Sequence, residues 1–144
     1  HGMAGLRLGF AVGRPEVLAG LTKVKDSYNV DAVAMRVGAA ALRDTAYTAE
    51  VVARIVATRT RLVDALEHRG FRVWSSHANF VLAHPADGDA RRLHAGLEAR
   101  GVLVRYFDEP GLDDCLRITV GTDDEQARLL DALSELQPPA DGSA

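Results

Sequence analysis

The chain has 144 residues, 47% hydrophobic and 26% charged, enough to bury a core in one domain, or in a small domain plus part of another. Its 17 Lys and Arg are scattered among 20 acids, giving a net charge of -3, which argues against a nucleic-acid or anionic-membrane partner because neutralising phosphates needs a basic excess. The single cysteine, Cys115, allows no internal disulfide, no apolar run approaches a membrane span and no signal peptide is visible, so a cytoplasmic location is expected.

The chain opens at His1 directly into a Gly-rich apolar pattern, and an earlier portion is expected before it. Leu6, Leu8, Phe10 and Val12 alternate with Arg7, Gly9 and Ala11, a period of two that predicts a strand. Pro15 suits the first turn of a short helix running to Thr22, and Lys23 to Asn29 is polar and turn-like. Asp31 can cap a second helix reaching Leu42. Thr48 opens the longest segment, with Val52, Ile55, Val56, Leu62, Val63 and Leu66 at helical spacing and Gly70 as a left-handed terminator.

The texture then changes. Strands are expected at Phe71–Trp74 and Ala78–Leu82, a helix through Ala90, Leu93 and Leu97 ending at Gly101, and strands at Val102–Phe107 and Cys115–Val120. Thr122 and Glu125 have the spacing of a capping box for a last helix to Leu136, and Pro138–Ala144 is expected to be a flexible tail. The second half therefore predicts ββαββα, a small α/β sandwich with helices on one sheet face. The first half has one strand and three helices, too little sheet to bury itself, which predicts the remnant of a larger domain.

Several side chains can carry chemistry. Arg7, flanked by Gly5 and Gly9, can fork onto a phosphate that approaches the backbone, or lie on the solvent face of an edge strand. Arg117 alternates against Leu116, Ile118 and Val120. It either grips a substrate carboxylate or covers an exposed sheet face, and Arg105 raises the same question. Tyr28 and Asn29 line a pocket or form a turn, and Asn79 is a candidate hydrogen-bond anchor. His68, His77, His84 and His94 are isolated, without metal spacing, so no metal is expected. Cys115 has no base nearby in sequence and reads as a small core residue.

Three segments together resemble one family. Ala4-Gly5-Leu6-Arg7-Leu8-Gly9-Phe10 resembles the strand after the cofactor lysine in fold-type I pyridoxal-phosphate (PLP) aminotransferases. Ser27-Tyr28-Asn29-Val30 is similar to the active-site turn of the histidinol-phosphate branch, and Cys115–Thr122 (CLRITVGT) to that branch's carboxylate-binding strand. The resemblance covers residues 1 to 136.

The resemblance implies the C-terminal part of an α/β fold-type I transferase. Residues 1–46 would end the cofactor-binding large domain, 47–70 form a long connecting helix, 71–137 the small α/β domain and 138–144 a tail. It implies PLP as cofactor, amino-acid and 2-oxo-acid substrates, a role in histidine biosynthesis and a homodimer. By the same resemblance Arg7 binds the cofactor phosphate, Arg117 clamps the substrate α-carboxylate, Arg105 contacts the phosphate-bearing end of the substrate, and Tyr28 and Asn29 lie near the pocket. The family's Schiff-base lysine precedes the phosphate-binding arginine and falls upstream of His1, since Lys23 and Lys25 stand too far along the chain. No catalytic residue is therefore expected here; either the chain is a fragment of a longer enzyme, or a modified lysine interrupts it. An aromatic-amino-acid aminotransferase or a threonine-phosphate decarboxylase would use the same arginines. A stand-alone small-molecule-binding regulatory module would need residues 71–136 to fold and bind alone.

Overall fold

The computed structural model describes residues 3–137; the tail expected at 138–144 lies outside them. The chain divides into two compact units, His1–Val51 and Val52–Ala144. Among the described residues no helix is long and apolar enough to cross a membrane.

The regular elements of the first unit are all helical. The predicted strand over Leu6–Val12 does not form: Ala4–Leu6 make a 3-10 turn (η1), Arg7 follows with φ 55°, and residues 8–14 run without regular structure. The reason is physical. A strand needs a neighbour for its N–H and C=O groups, none pairs with this segment among the described residues, and a left-handed residue breaks the pleat. Helix α1 spans Pro15–Val24, with Pro15 at its first position and an extended Arg14 before it. Helix α2, Ala32–Arg43, is capped by Asp31, whose Oδ1 accepts from the N–H groups of Val33 and Ala34 at 2.8 and 2.9 Å. Helix α3, Thr45–Glu67, starts three residues earlier than the pattern predicts because the Asp44 carboxylate accepts from Tyr47 N–H at 3.0 Å. Its apolar stripe misleads about the start because the cap is polar. Of residues 3–51 only Ala34 and Gly38 are buried; a Cβ on Gly38 would collide with the side chain of Leu8.

The second unit has the expected ββαββα order: β1 Arg72–Val73, β2 Phe80–His84, α4 Ala90–Glu98, β3 Arg105–Tyr106, β4 Leu116–Thr119 and α5 Asp123–Leu136. The sheet is antiparallel in the order β1-β2-β4-β3, with Val81 opposite Ile118, Ala83 opposite Leu116 and Arg117 opposite both Leu82 and Arg105. Strand alternation then sorts the faces. Val81, Ala83, Leu116 and Ile118 join Leu62 and Leu66 of α3, Leu93 and Leu97 of α4, and Leu129 and Leu133 of α5 in one core. Phe80, Leu82, Arg105, Arg117 and Thr119 share the other face, and none of them belongs to the buried core among the described residues. The edge strands are shorter than predicted. Before β3 the backbone leaves β4, and a cavity of about 320 Å³ opens between residues 101–104, the end of β4 and the start of α5.

Two helix ends close alike. Phe71 N–H reaches Leu66 O at 3.1 Å while Gly70 N–H reaches Glu67 O; Val102 N–H reaches Leu97 O at 3.0 Å while Gly101 N–H reaches Glu98 O. Both glycines are left-handed, φ 83° and 71°, so each helix ends in a Schellman motif that turns the chain into its strand. Arg69 and Arg100, each beside its glycine, then tie these ends to Ser134 and Glu135 of α5. Gly101→Ala is expected to lower stability by about 1–2 kcal/mol through the left-handed backbone alone, since nothing stands within 4 Å of a Cβ at that position. Urea unfolding of the chain measures it; an unchanged midpoint would remove the left-handed account. Thr122 and Glu125 form the predicted capping box. Glu125 accepts the Thr122 backbone N–H at 2.7 Å, and that bond holds its carboxyl below the usual range.

Candidate functional site

The sheet face opposite the core holds both arginines that the sequence brings out in the second unit. β4 presents Arg117 outward because Leu116 and Ile118, its neighbours in sequence, are drawn into the core. β3 presents Arg105 directly across from it. Like charges opposite one another on neighbouring strands are unfavourable, so this placement calls for an explanation. Neither guanidinium meets a carboxylate or a hydrogen-bond acceptor among the described residues. Each meets aromatic rings instead: Arg117 lies 5.2 Å from the Phe80 centroid and 5.8 Å from that of Phe107, and Arg105 lies 5.2 Å from Phe107. Two exposed cations with unused donor forks and no acid between them have the chemistry to receive an anion.

Where β4 begins, other polar groups of the unit are engaged with one another. His84 and Asp114 pair at 3.3 Å, and the Cys115 thiol donates to Asp114 at 3.0 Å. That thiol contact holds the Asp114 carboxyl below the usual range. Burial, helped by the Asp114 carboxylate, pushes the Cys115 thiol up to about 12, so it stays protonated and is no nucleophile at neutral pH. The Asn79 anchor is a backbone one: its carbonyl accepts from Val120 N–H at 2.9 Å, while its side chain makes no hydrogen bond among the described residues. Among those residues no group of three potential ligands could hold a metal.

Arg7, Tyr28 and Asn29 belong to the first unit, and all three are exposed, Tyr28 at 98%. The Arg7 guanidinium is free of protein partners among the described residues, and neither Gly5 nor Gly9 has anything within 4 Å of a Cβ position, so a ligand can approach this backbone closely. Sequence reading brought out Arg105 and Arg117 but missed Phe80 and Phe107. The available signal was Arg105-x-Phe107, two residues apart and therefore on one face of a strand.

An antiparallel sheet layered on helices after a long helix is an architecture shared with fold-type I PLP-dependent transferases. The match to known structures is close: a histidinol-phosphate aminotransferase of Sinorhizobium meliloti, solved in complex with pyridoxal-5'-phosphate, superposes with a TM-score of 0.82 at 28% identity over 94% of this chain and 38% of that one. Residues 1–133 match the family model of class I and II aminotransferases, and the chain belongs to that family. It is 54% identical over 136 residues to histidinol-phosphate aminotransferase 1 of a Nostoc species and 52% identical to that of Trichormus variabilis, each time over 94% of this chain. The chain spans 38% and 39% of the length of these relatives.

Proposed function

We propose that the chain is the C-terminal portion of a PLP-dependent aminotransferase that exchanges L-histidinol phosphate and 2-oxoglutarate for imidazole acetol phosphate and glutamate. Residues 1–46 would close the cofactor-binding large domain, 47–70 link it, and 71–137 form the small domain of a cytoplasmic homodimer. The observation that carries the reading is the pair of acid-free arginines opposite one another on β3 and β4. The names and identities of the relatives support it.

The two reactants bear different anions. Glutamate and 2-oxoglutarate carry carboxylates, whereas histidinol phosphate carries a phosphate ester and no carboxylate. Two guanidinium groups side by side serve both: the Arg117 fork takes the α-carboxylate in bidentate fashion and Arg105 takes the phosphate. On the first unit, the unpartnered Arg7 beside two open glycines fits a phosphate group and is assigned to that of PLP, with Tyr28 and Asn29 near the pocket. When bound, PLP supplies the electron sink; these residues bind and orient. The Schiff-base lysine lies outside residues 1–144 in this reading.

The test is a substrate comparison in the complete enzyme. With 2-oxoglutarate as acceptor, histidinol phosphate should exceed phenylalanine in kcat/KM by about 100-fold, the worth of a charge-assisted phosphate contact that phenylalanine cannot make. A preference for phenylalanine would move the assignment to the aromatic aminotransferases.

A further inference from the structure

An arginine on an open strand ordinarily samples many rotamers, and fixing it costs side-chain entropy. Elsewhere in this unit several arginines are held by acids: Arg61 pairs with Asp123, Arg91 with Asp108, Arg92 with Asp87 and Arg100 with Glu135, while Arg72 lies over the Trp74 ring. An acid at Arg117 would occupy the fork and repel an incoming anion. An aromatic ring holds the cation through its negative face and leaves the in-plane N–H donors free.

We infer that Phe80 and Phe107 are positioning residues for the substrate-binding arginines: both rings hold Arg117, and Phe107 also holds Arg105. The inference rests on the anion-binding role proposed above for this face. The sheet register dictates the placement. Phe80 pairs with Thr119, two residues beyond Arg117, so their side chains rise from one face, and Phe107 directly follows β3 with its ring beside both guanidinium groups. All three ring-to-guanidinium distances fall within the roughly 6 Å range of a cation–π contact. Phe80 is 37% exposed, whereas the residues flanking Arg117 on β4 are buried, so a core role does not account for it. One ring shared by two cations also offsets their mutual repulsion.

The test is Phe107→Leu and Phe80→Leu, each beside its Phe→Tyr counterpart, in the complete enzyme. The Leu variants should raise KM for 2-oxoglutarate about two- to fivefold, the contribution of an exposed cation–π contact, with kcat within about twofold, and the Tyr variants should restore the parental KM. In the full chain, the Arg117 Nε–H resonance should lose its ring-current displacement in the Leu variants and keep it with Tyr. Parental KM in the Leu variants, while Arg117→Lys raises KM, overturns the positioning role and leaves the anion-site reading standing. Parental KM in Arg117→Lys overturns both. A Leu variant whose KM loss is not rescued by Tyr marks a packing role and also overturns the inference.

Discussion

Arg117→Lys in the complete enzyme is expected to raise KM for 2-oxoglutarate by about 10- to 100-fold, while PLP is retained on dialysis. Lysine keeps the charge but supplies one ammonium in place of a planar fork, so one of two parallel charge-assisted bonds is lost, worth about 1.5–3 kcal/mol, with 1.4 kcal/mol per tenfold. KM for histidinol phosphate should move less, because its phosphate is assigned to Arg105. Arg7→Ala is expected to invert the pattern, with PLP lost on dialysis and near-parental substrate KM once the cofactor is in excess. The two variants separate the sites because Arg7 lies in the unit His1–Val51 and Arg117 in Val52–Ala144. Parental kinetics in Arg117→Lys would take it out of the site, and full PLP retention in Arg7→Ala would contradict the phosphate role.

How much of this was legible in the sequence depended on whether local pattern or distant partners decide the structure. The second half was legible because each signal is self-contained: Leu116, Ile118 and Val120 alternate, Thr122 and Glu125 cap, and Gly70 and Gly101 terminate helices wherever the left-handed region is needed. The Leu6–Val12 segment has the same alternation yet forms no strand, because hydrogen bonding to a neighbour decides strand formation and local sequence does not contain the neighbour. The arginines were legible as chemistry but not as a pair. That Arg105 faces Arg117 follows from the register of β3 on β4, and the register is set by contacts across the eleven intervening loop and strand residues that no spacing rule reads. The rings of Phe80 and Phe107 entered the sequence reading only as apolar strand residues, and the sheet makes them cation holders.

Leu97→Ala is expected to be the most damaging of the stability variants, costing about 2–5 kcal/mol of the roughly 5–15 that a domain typically has. Leu97 is fully buried in the core of the second unit, and its carbonyl also accepts the Val102 N–H that closes α4. Truncation leaves a cavity where α4 meets the sheet and α5, and neighbours tied by the Arg100–Glu135 and Arg92–Asp87 pairs cannot easily collapse into it. Val33→Ala removes a comparable apolar group from α2, but Val33 is 69% exposed, so that change should stay within about 0.5 kcal/mol. The contrast reflects the two units: Val81, Leu93, Leu97, Leu116 and Leu133 are fully buried in the second, while in the first Ala34 is the buried apolar side chain among the described residues. Amide exchange in the chain should therefore be slow in β2, β4, α4 and α5 and fast in α1 and α2, because exchange through local opening tracks buried apolar contact. Equal protection in α2 and α4, or equal urea midpoints for Leu97→Ala and Val33→Ala, would show that stability is not concentrated where the core lies.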